Sequence, residues 1–332
     1  MRDFALPPYF HPTTVCVVDD NEPFLTSLDL ELPPGMASRV FTDPHKALTF
    51  LQTPIDLPAL MDRCFSMQLQ SGSRALIELD LSLIEQEINF PDRFRRNSVL
   101  LVDYSMPRMD GLELCAALDD ALIRRALLTG VADEKLAVQA FNAGLIHRYI
   151  PKHLINPLSV IVGFIEELQR EYFSQYTARL KSVLSINPPR FLIDPVIARY
   201  VRNLMRRERL IEYYLVSDPP GLLLLNSSGR LWRLALLNRE QVREQVVFAR
   251  SRGAPADVIA QLDSGNFLGF FCGTDPDDDF SADAYPWQEL VFPAVTLVGA
   301  TGSWQIALWR DAVSHIDFDP AGASYDTYTR SL

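Results

Sequence analysis

Cysteine is scarce in this chain, and long apolar runs are missing. The 332 residues hold four cysteines, Cys16, Cys64, Cys115 and Cys272, far apart and with no CxxC pair. That excludes a disulfide framework and fits a reducing compartment. Cys16 and Cys115 fall on apolar patterns and read as small core residues. No apolar stretch approaches the ~20 residues that a membrane span needs. The opening "MRDFALPPYFHP" lacks the apolar region and cleavage site of a signal peptide. The expectation is a soluble, cytoplasmic protein. Positive charge is also short: 31 Lys+Arg against 42 Asp+Glu leave a net charge of −11. That argues against a surface that seeks nucleic acid in general and leaves room only for a local basic patch. Residues 186–332 contain no lysine, and their 14 arginines against 18 acids give 14 − 18 = −4. No Ser-His-Asp grouping stands out there, where His315 is the only histidine, so a hydrolase of that type is not expected.

What is present is apolar patterning in abundance. Hydrophobic residues make up 48 % of the chain, enough for two cores, and the length suggests two domains at ~150 residues each. From residue 13 short apolar runs alternate with amphipathic stretches. "TTVCVVDD", "SRVFTD", "NSVLLVD", "RRALLTG" and "HRYIPK" read as strands. "EPFLTSLDLEL", "DPHKALTFLQT", "DGLELCAALDDA" and "ADEKLAVQAFNAG" read as helices. Asp43 is placed to cap the second helix, with Pro44 at its first position. Strands apolar on both faces and spaced by helices predict a doubly wound, parallel five-stranded sheet covered on both sides. Residues 53–97 break the rhythm. Leu81, Ile84 and Ile88 have helical spacing, so this segment is expected to be a helical insertion. Residues 156–185 read as one long helix, ended by Pro188 and Pro189. The expected division is 1–155, a linker helix over 156–187, and 188–332. The last part opens on a helix, "DPVIARYVRNLMRRERLIEYYL". Hairpins follow at Asn226–Gly229 and Ala300–Gly302, with helices over 239–252 and 254–264 between them. This is the pattern of an α+β domain with an antiparallel sheet.

The first-half strands carry polar residues at their carboxyl ends: Asp19 and Asp20, Asp103, Thr129 and Lys152. In an open parallel sheet these ends meet at one edge, where ligands bind. Three close carboxylates repel unless a cation sits among them. Hard oxygen ligands on loops suit Mg²⁺, which takes one or two carboxylates together with phosphate oxygens. An aspartate there is a competent nucleophile for phosphoryl transfer.

These residues resemble the receiver domain of two-component response regulators. The order carries the likeness: "VVDD", "VDYSMPRMDG", "LLTG" and "YIPK" follow the first, third, fourth and fifth strands. The resemblance covers roughly residues 13–170. It implies that Asp103 is the phosphoacceptor, and that Asp19, Asp20, Asp103 and the backbone carbonyl of Ser105 hold Mg²⁺. It implies that Lys152 contacts the phosphoryl oxygens, and that Thr129 and Tyr149 form the switch. Gly111 is expected to let the loop turn beneath Pro107. Where the family has Lys-Pro, this chain has Lys152-His153. The expected donor is a sensor histidine kinase or phosphotransfer protein, and the expected response is homodimerisation. The layout, with "IEYYLVSDPPGLLLLNSSGRLWRLALL", also resembles atypical quorum-sensing response regulators of the Legionella type.

The second half shows no cyclic-dinucleotide enzyme signature and no helix-turn-helix with a basic recognition helix, so an interaction or ligand-binding module is expected. Arg199, Arg202, Arg206 and Arg209, at spacings of 3, 4 and 3, form a candidate stripe. It reads either as a solvated helix face or as a phosphate contact for nucleic acid or nucleotide. A DNA-binding regulator and a nucleotide-acting enzyme are therefore the alternatives. "GTDPDDDFSADA" is expected to be a solvated acidic loop.

Overall fold

The computed structural model describes residues 4–33, 36–54, 65–70, 74–79, 82–130, 134–152, 159–184, 189–271, 286–310 and 316–331. Cys64, Cys272, His153, His315 and the acidic loop at 275–283 lie outside them. The chain forms two compact units that interleave along the sequence. One comprises residues 11–57, 91–178 and 331–332; the other comprises 1–10, 58–90 and 179–330. Their edges do not coincide with divisions at 155 and 187, because the segment inserted after the second helix belongs with the carboxyl-terminal residues.

The chain opens with a short strand, β1 (Tyr9–Phe10), of the second unit. The first unit then runs β2 (Thr14–Val18), α1 (Glu22–Glu31), β3 (Ser38–Phe41) and α2 (Pro44–Gln52). The inserted β4 (Phe65–Gln70), β5 (Arg74–Leu79) and α3 (Ser82–Gln86) come next. The first unit resumes with β6 (Asn97–Asp103), α4 (Gly111–Ala116), β7 (Arg124–Thr129), α5 (Glu134–Asn142), β8 (Arg148–Pro151) and α6 (Ser159–Tyr176). Its five strands are parallel, in the order β3-β2-β6-β7-β8.

Alternation within the central strands builds two cores from one sheet. Cys16, Val18, Leu100 and Val102 point to one face, where Ala47 and Leu51 of α2, Leu114 and Cys115 of α4, and Ala137 and Ala140 of α5 pack. Val15, Val17, Val99 and Leu101 point to the other, against Leu25 and Leu28 of α1 and Ile161, Ile165 and Leu168 of α6. Burial on both faces is why these strands read as continuous apolar runs. Local caps start the helices: Asn21 accepts from Phe24 N, Asp43 from His45 N, and Asp110 from Leu112 N and Glu113 N. The Glu113 carboxylate returns a bond to Asp110 N, closing a capping box.

The long helix expected over 156–185 is two helices, α6 and α7 (Ala178–Leu184). Thr177, fully buried, stands between them and donates its hydroxyl to Phe173 O at 2.6 Å. Such back-bonding bends a helix.

The second unit continues with α8 (Pro195–Glu208), β9 (Leu210–Ser217), β10 (Pro220–Asn226) and β11 (Leu231–Leu237). Then come α9 (Arg239–Ser251), α10 (Ala256–Asp263), β12 (Phe267–Gly269), β13 (Val291–Val298) and β14 (Ser303–Arg310). Its antiparallel sheet has seven strands in the order β1-β9-β10-β11-β14-β13-β12. The opening helix is shorter than expected. Arg209 adopts a left-handed conformation (φ 55°) and caps α8, so "LIEYYL" becomes a strand. The insertion carries an antiparallel hairpin, β4–β5, that helical spacing did not predict. Its α3 packs against β9, and Glu85 reaches buried Arg233 of β11 at 3.1 Å.

Asp194 organises this unit's carboxyl-terminal hairpin. Its Oδ1 caps α8 through Val196 N, while its Oδ2 accepts Thr301 N at 2.7 Å and Thr301 Oγ1 at 2.8 Å. Burial works against its charge, but these donors outweigh it and hold the carboxyl down at about 2. Asp194→Ala should lose about 2 kcal/mol in urea unfolding, the upper range for a lost cap. The wild-type contribution is complete above the unfolded carboxyl's pKa of ~4 and fades as pH falls toward about 2. Unfolding free energies of the two proteins should therefore converge in acid.

Candidate functional site

The carboxyl ends of the five parallel strands bring the sequence-predicted acids together. Asp19 and Asp20 directly follow β2, and Asp103 is the last residue of β6. Asp19 is fully buried, Asp103 is 5 % exposed, and Asp20 is open to solvent. Each of the three offers a carboxylate oxygen within 4.8 Å of the others. Lys152, next after β8, reaches into this group. Its Nζ lies 2.8 Å from Asp19 Oδ2 and 2.9 Å from Asp103 Oδ1. The other Asp19 oxygen accepts the backbone N–H of Asn21 at 2.9 Å.

The electrostatics follow from this packing. Burial raises the Asp103 carboxyl, and the neighbouring Asp19 and Asp20 charges add to that; the hydrogen bond and charge of Lys152 oppose it. Burial disfavours the Lys152 ammonium, but its bonds to Asp19 and Asp103 outweigh burial and raise its pKa overall. The ring of Phe24, on α1, lies 5.4 Å from Nζ and gives the cation an aromatic wall. No sequence signal marked Phe24: it sits on α1 as an ordinary apolar residue.

The donor set fits a hard divalent cation. Three carboxylates converge, and the single ammonium among them is paired with only Asp19 and Asp103. Asp19, Asp20 and Asp103 are the side chains that would hold Mg²⁺, the oxygen-seeking ion of such sites. Ser105, the other expected ligand, is exposed in the loop two residues after Asp103.

That loop is shaped by two different residues. Arg108 supplies its left-handed position (φ 73°) and pairs with Asp43 at 3.1 Å. Gly111 does not supply conformational freedom, as the sequence had suggested. It is there because α4 starts hard against the strand. A Cβ at Gly111 would stand 2.3 Å from the Asp103 carbonyl oxygen and 2.9 Å from Leu127 Cδ1.

Thr129 ends β7 with its Oγ1 buried and without a hydrogen-bond partner. Tyr149, on β8, is half-buried and meets Phe141 edge-on at 6.5 Å. The arginines are elsewhere, in the second unit. Arg199 and Arg206 are exposed on α8, and Arg202 is half-buried. Arg209 leaves the helical stripe as the left-handed cap.

The sequence matches no family model and no curated protein. Among solved structures, it is similar to the response regulator LqsR of Legionella pneumophila. The two are 32 % identical, with a TM-score of 0.77, over 99 % of this chain and 97 % of that one. This chain belongs to the response regulators. Receiver domains match about half of this response regulator. One is FixJ-N, at 27 % identity and a TM-score of 0.31, over 48 % of this chain and 94 % of that one. Another is the signal receiver domain of an HD domain-containing protein of Pseudomonas fluorescens. That match is at 20 % identity and a TM-score of 0.33, over 49 % of this chain and 90 % of that one. The parallel five-stranded sheet fits a receiver domain, and a separate seven-stranded antiparallel sheet occupies the carboxyl-terminal region. No helix among the described residues is long and apolar enough to cross a membrane.

The crowding at Gly111 is open to test. Gly111→Ala should cost about 1–3 kcal/mol, the range for forcing extra atoms into a packed site, read as a lower urea midpoint. Gly163→Ala is the control: it lies in α6 with nothing within 4 Å and should gain roughly 0.5–1 kcal/mol.

Proposed function

We propose that this response regulator is switched by phosphorylation of Asp103. The observation that carries the reading is the Asp103 carboxylate at a strand end, 2.9 Å from Lys152 Nζ and grouped with Asp19 and Asp20. Burial favours the protonated, less nucleophilic form of Asp103, and Lys152 opposes that. One Asp103 oxygen attacks the phosphorus of a phosphohistidine on a sensor histidine kinase or phosphotransfer protein. The O–P bond forms as the N–P bond breaks, and the imidazole leaves with the electron pair. Lys152 then turns its ammonium from the carboxylate to the phosphoryl oxygens. Mg²⁺ held by Asp19, Asp20, Asp103 and the Ser105 carbonyl would supply neutralising charge to those oxygens.

The signal leaves through Thr129. Its buried hydroxyl lacks an acceptor, and a phosphoryl oxygen on Asp103 provides one. Movement of Thr129 makes room for Tyr149 to turn inward. That alters the face of α5 and β8, where Leu136, Val138 and Phe141 are 43 %, 40 % and 48 % exposed. We infer that a second copy covers this face, so that phosphorylation yields a homodimer. The likeness in layout to Legionella-type regulators supports a role in a cytoplasmic quorum-sensing pathway, with an output domain acting by protein interaction or ligand binding.

Two experiments bear on this. With radiolabelled acetyl phosphate and Mg²⁺, the wild type should take up acid-stable, base-labile label and Asp103→Asn should take up none. Label persisting in Asp103→Asn would overturn the assignment. In sedimentation velocity, beryllofluoride should convert monomer to dimer, and Phe141→Asp should hold the protein as monomer. An oligomeric state indifferent to beryllofluoride would remove the dimer switch while leaving the phosphoacceptor standing.

A further inference from the structure

Lys152 carries its charge on a flexible four-carbon stem, and 31 % of its side chain is exposed. Among the described residues its Nζ meets three groups: the carboxylates of Asp19 and Asp103 and, 5.4 Å from the ring centre, Phe24. Under the proposed chemistry the two carboxylates are poor restraints. Once an Asp103 oxygen is bonded to phosphorus, that carboxylate's charge is gone, and Asp19 is called on to hold Mg²⁺. The Phe24 ring is untouched by either event.

The ring is placed from two sides. Phe24 lies in the first turn of α1, half-buried and packed against the core that holds Val15, Val17 and Leu28. Its backbone N–H donates to the capping oxygen of Asn21 at 3.1 Å, and the backbone N–H of Asn21 donates to Asp19 Oδ1 at 2.9 Å. Asp19 Oδ2 in turn takes Lys152 Nζ at 2.8 Å. Asp19, Asn21, Phe24 and Lys152 thus close a circuit of contacts, in which the helix cap fixes the aromatic ring relative to the acids. Leucine at this position would fill much of the same apolar space without the ring quadrupole that attracts a cation.

We propose that Phe24 is a positioning residue for phosphoryl transfer at Asp103. It keeps the Lys152 ammonium at the site while its contacts pass from the carboxylates to the phosphoryl oxygens. The inference rests on the reading of Asp103 as phosphoacceptor. Phe24 acts through the lysine alone and needs no contact with phosphoryl group or metal.

Phe24→Leu and Phe24→Tyr in the full-length protein test this. With radiolabelled acetyl phosphate and Mg²⁺, Phe24→Leu should take up label roughly two- to fivefold more slowly, the size of an exposed cation–π contact. Phe24→Tyr, which keeps the ring, should restore the wild-type rate. In a Lys152→Ala background Phe24→Leu should change nothing, because the contact it removes has no partner there. A second readout needs neither phosphoryl donor nor metal. In proton NMR the two ε-protons of Lys152 should give separate signals in the wild type and in Phe24→Tyr, the mark of a fixed side chain. They should merge in Phe24→Leu. An unchanged rate in Phe24→Leu, equal slowing with and without Lys152, or signals that stay separate in Phe24→Leu would overturn the proposal. A wild type that takes up no label would instead remove the phosphoacceptor reading, and the NMR signals would still decide whether Phe24 holds the lysine.

Discussion

One ammonium group holds the receiver's functional edge together. Lys152 Nζ bridges Asp19 and Asp103, which end different strands and are both almost wholly buried. Without that cation two carboxylates would lie side by side in a low-dielectric setting, with the partly neighbouring Asp20 adding to the repulsion. The sheet positions the acids, and Lys152 opposes the burial that raises the Asp103 carboxyl. The same bridge also fixes Lys152 itself, the residue next after β8. A change in what Lys152 contacts is therefore felt by β8 itself, which carries Tyr149.

The surroundings of the bridge are rigid in complementary ways. β2 and β6 are packed on both faces, so their ends cannot drift. The loop after Asp103 is pinned by its capping box, by the Arg108–Asp43 pair and by the contact of Gly111 with the Asp103 carbonyl. Against this fixed background Thr129 is the exception, a buried hydroxyl with nothing to donate to. Such a donor inside rigid walls is the feature on which the proposed switch rests.

The sequence made some of this plain and hid the rest, for physical reasons. The parallel sheet was legible because burial on both faces leaves unbroken apolar runs, and the site because its acids and lysine fall at strand ends in order. Three misreadings have local causes. Thr177 interrupts a helical pattern through a backbone bond that hydrophobic spacing does not register. Arg209 takes a left-handed cap where glycine or asparagine is the usual marker, so the strand behind it looked helical. The β4–β5 hairpin lay in a segment where only the spacing of Leu81, Ile84 and Ile88 had been weighed, and Leu81 lies outside the described residues. Gly111 was noticed for the wrong reason, since a close approach between distant elements leaves no trace in local sequence. Nor could β1 be found: its partner, β9, lies some two hundred positions away.

The interleaving of the two units has a consequence for how such a protein can arise and be handled. The chain passes between them after residues 10, 57, 90, 178 and 330, so no single cut separates the two units. A fragment ending near residue 155 would retain β1 without β9, the strand it pairs with, and the complementary fragment would lack β1. Modular regulators can trade outputs by recombination at a linker. This architecture works against that exchange, because the two units are joined by several covalent threads rather than one.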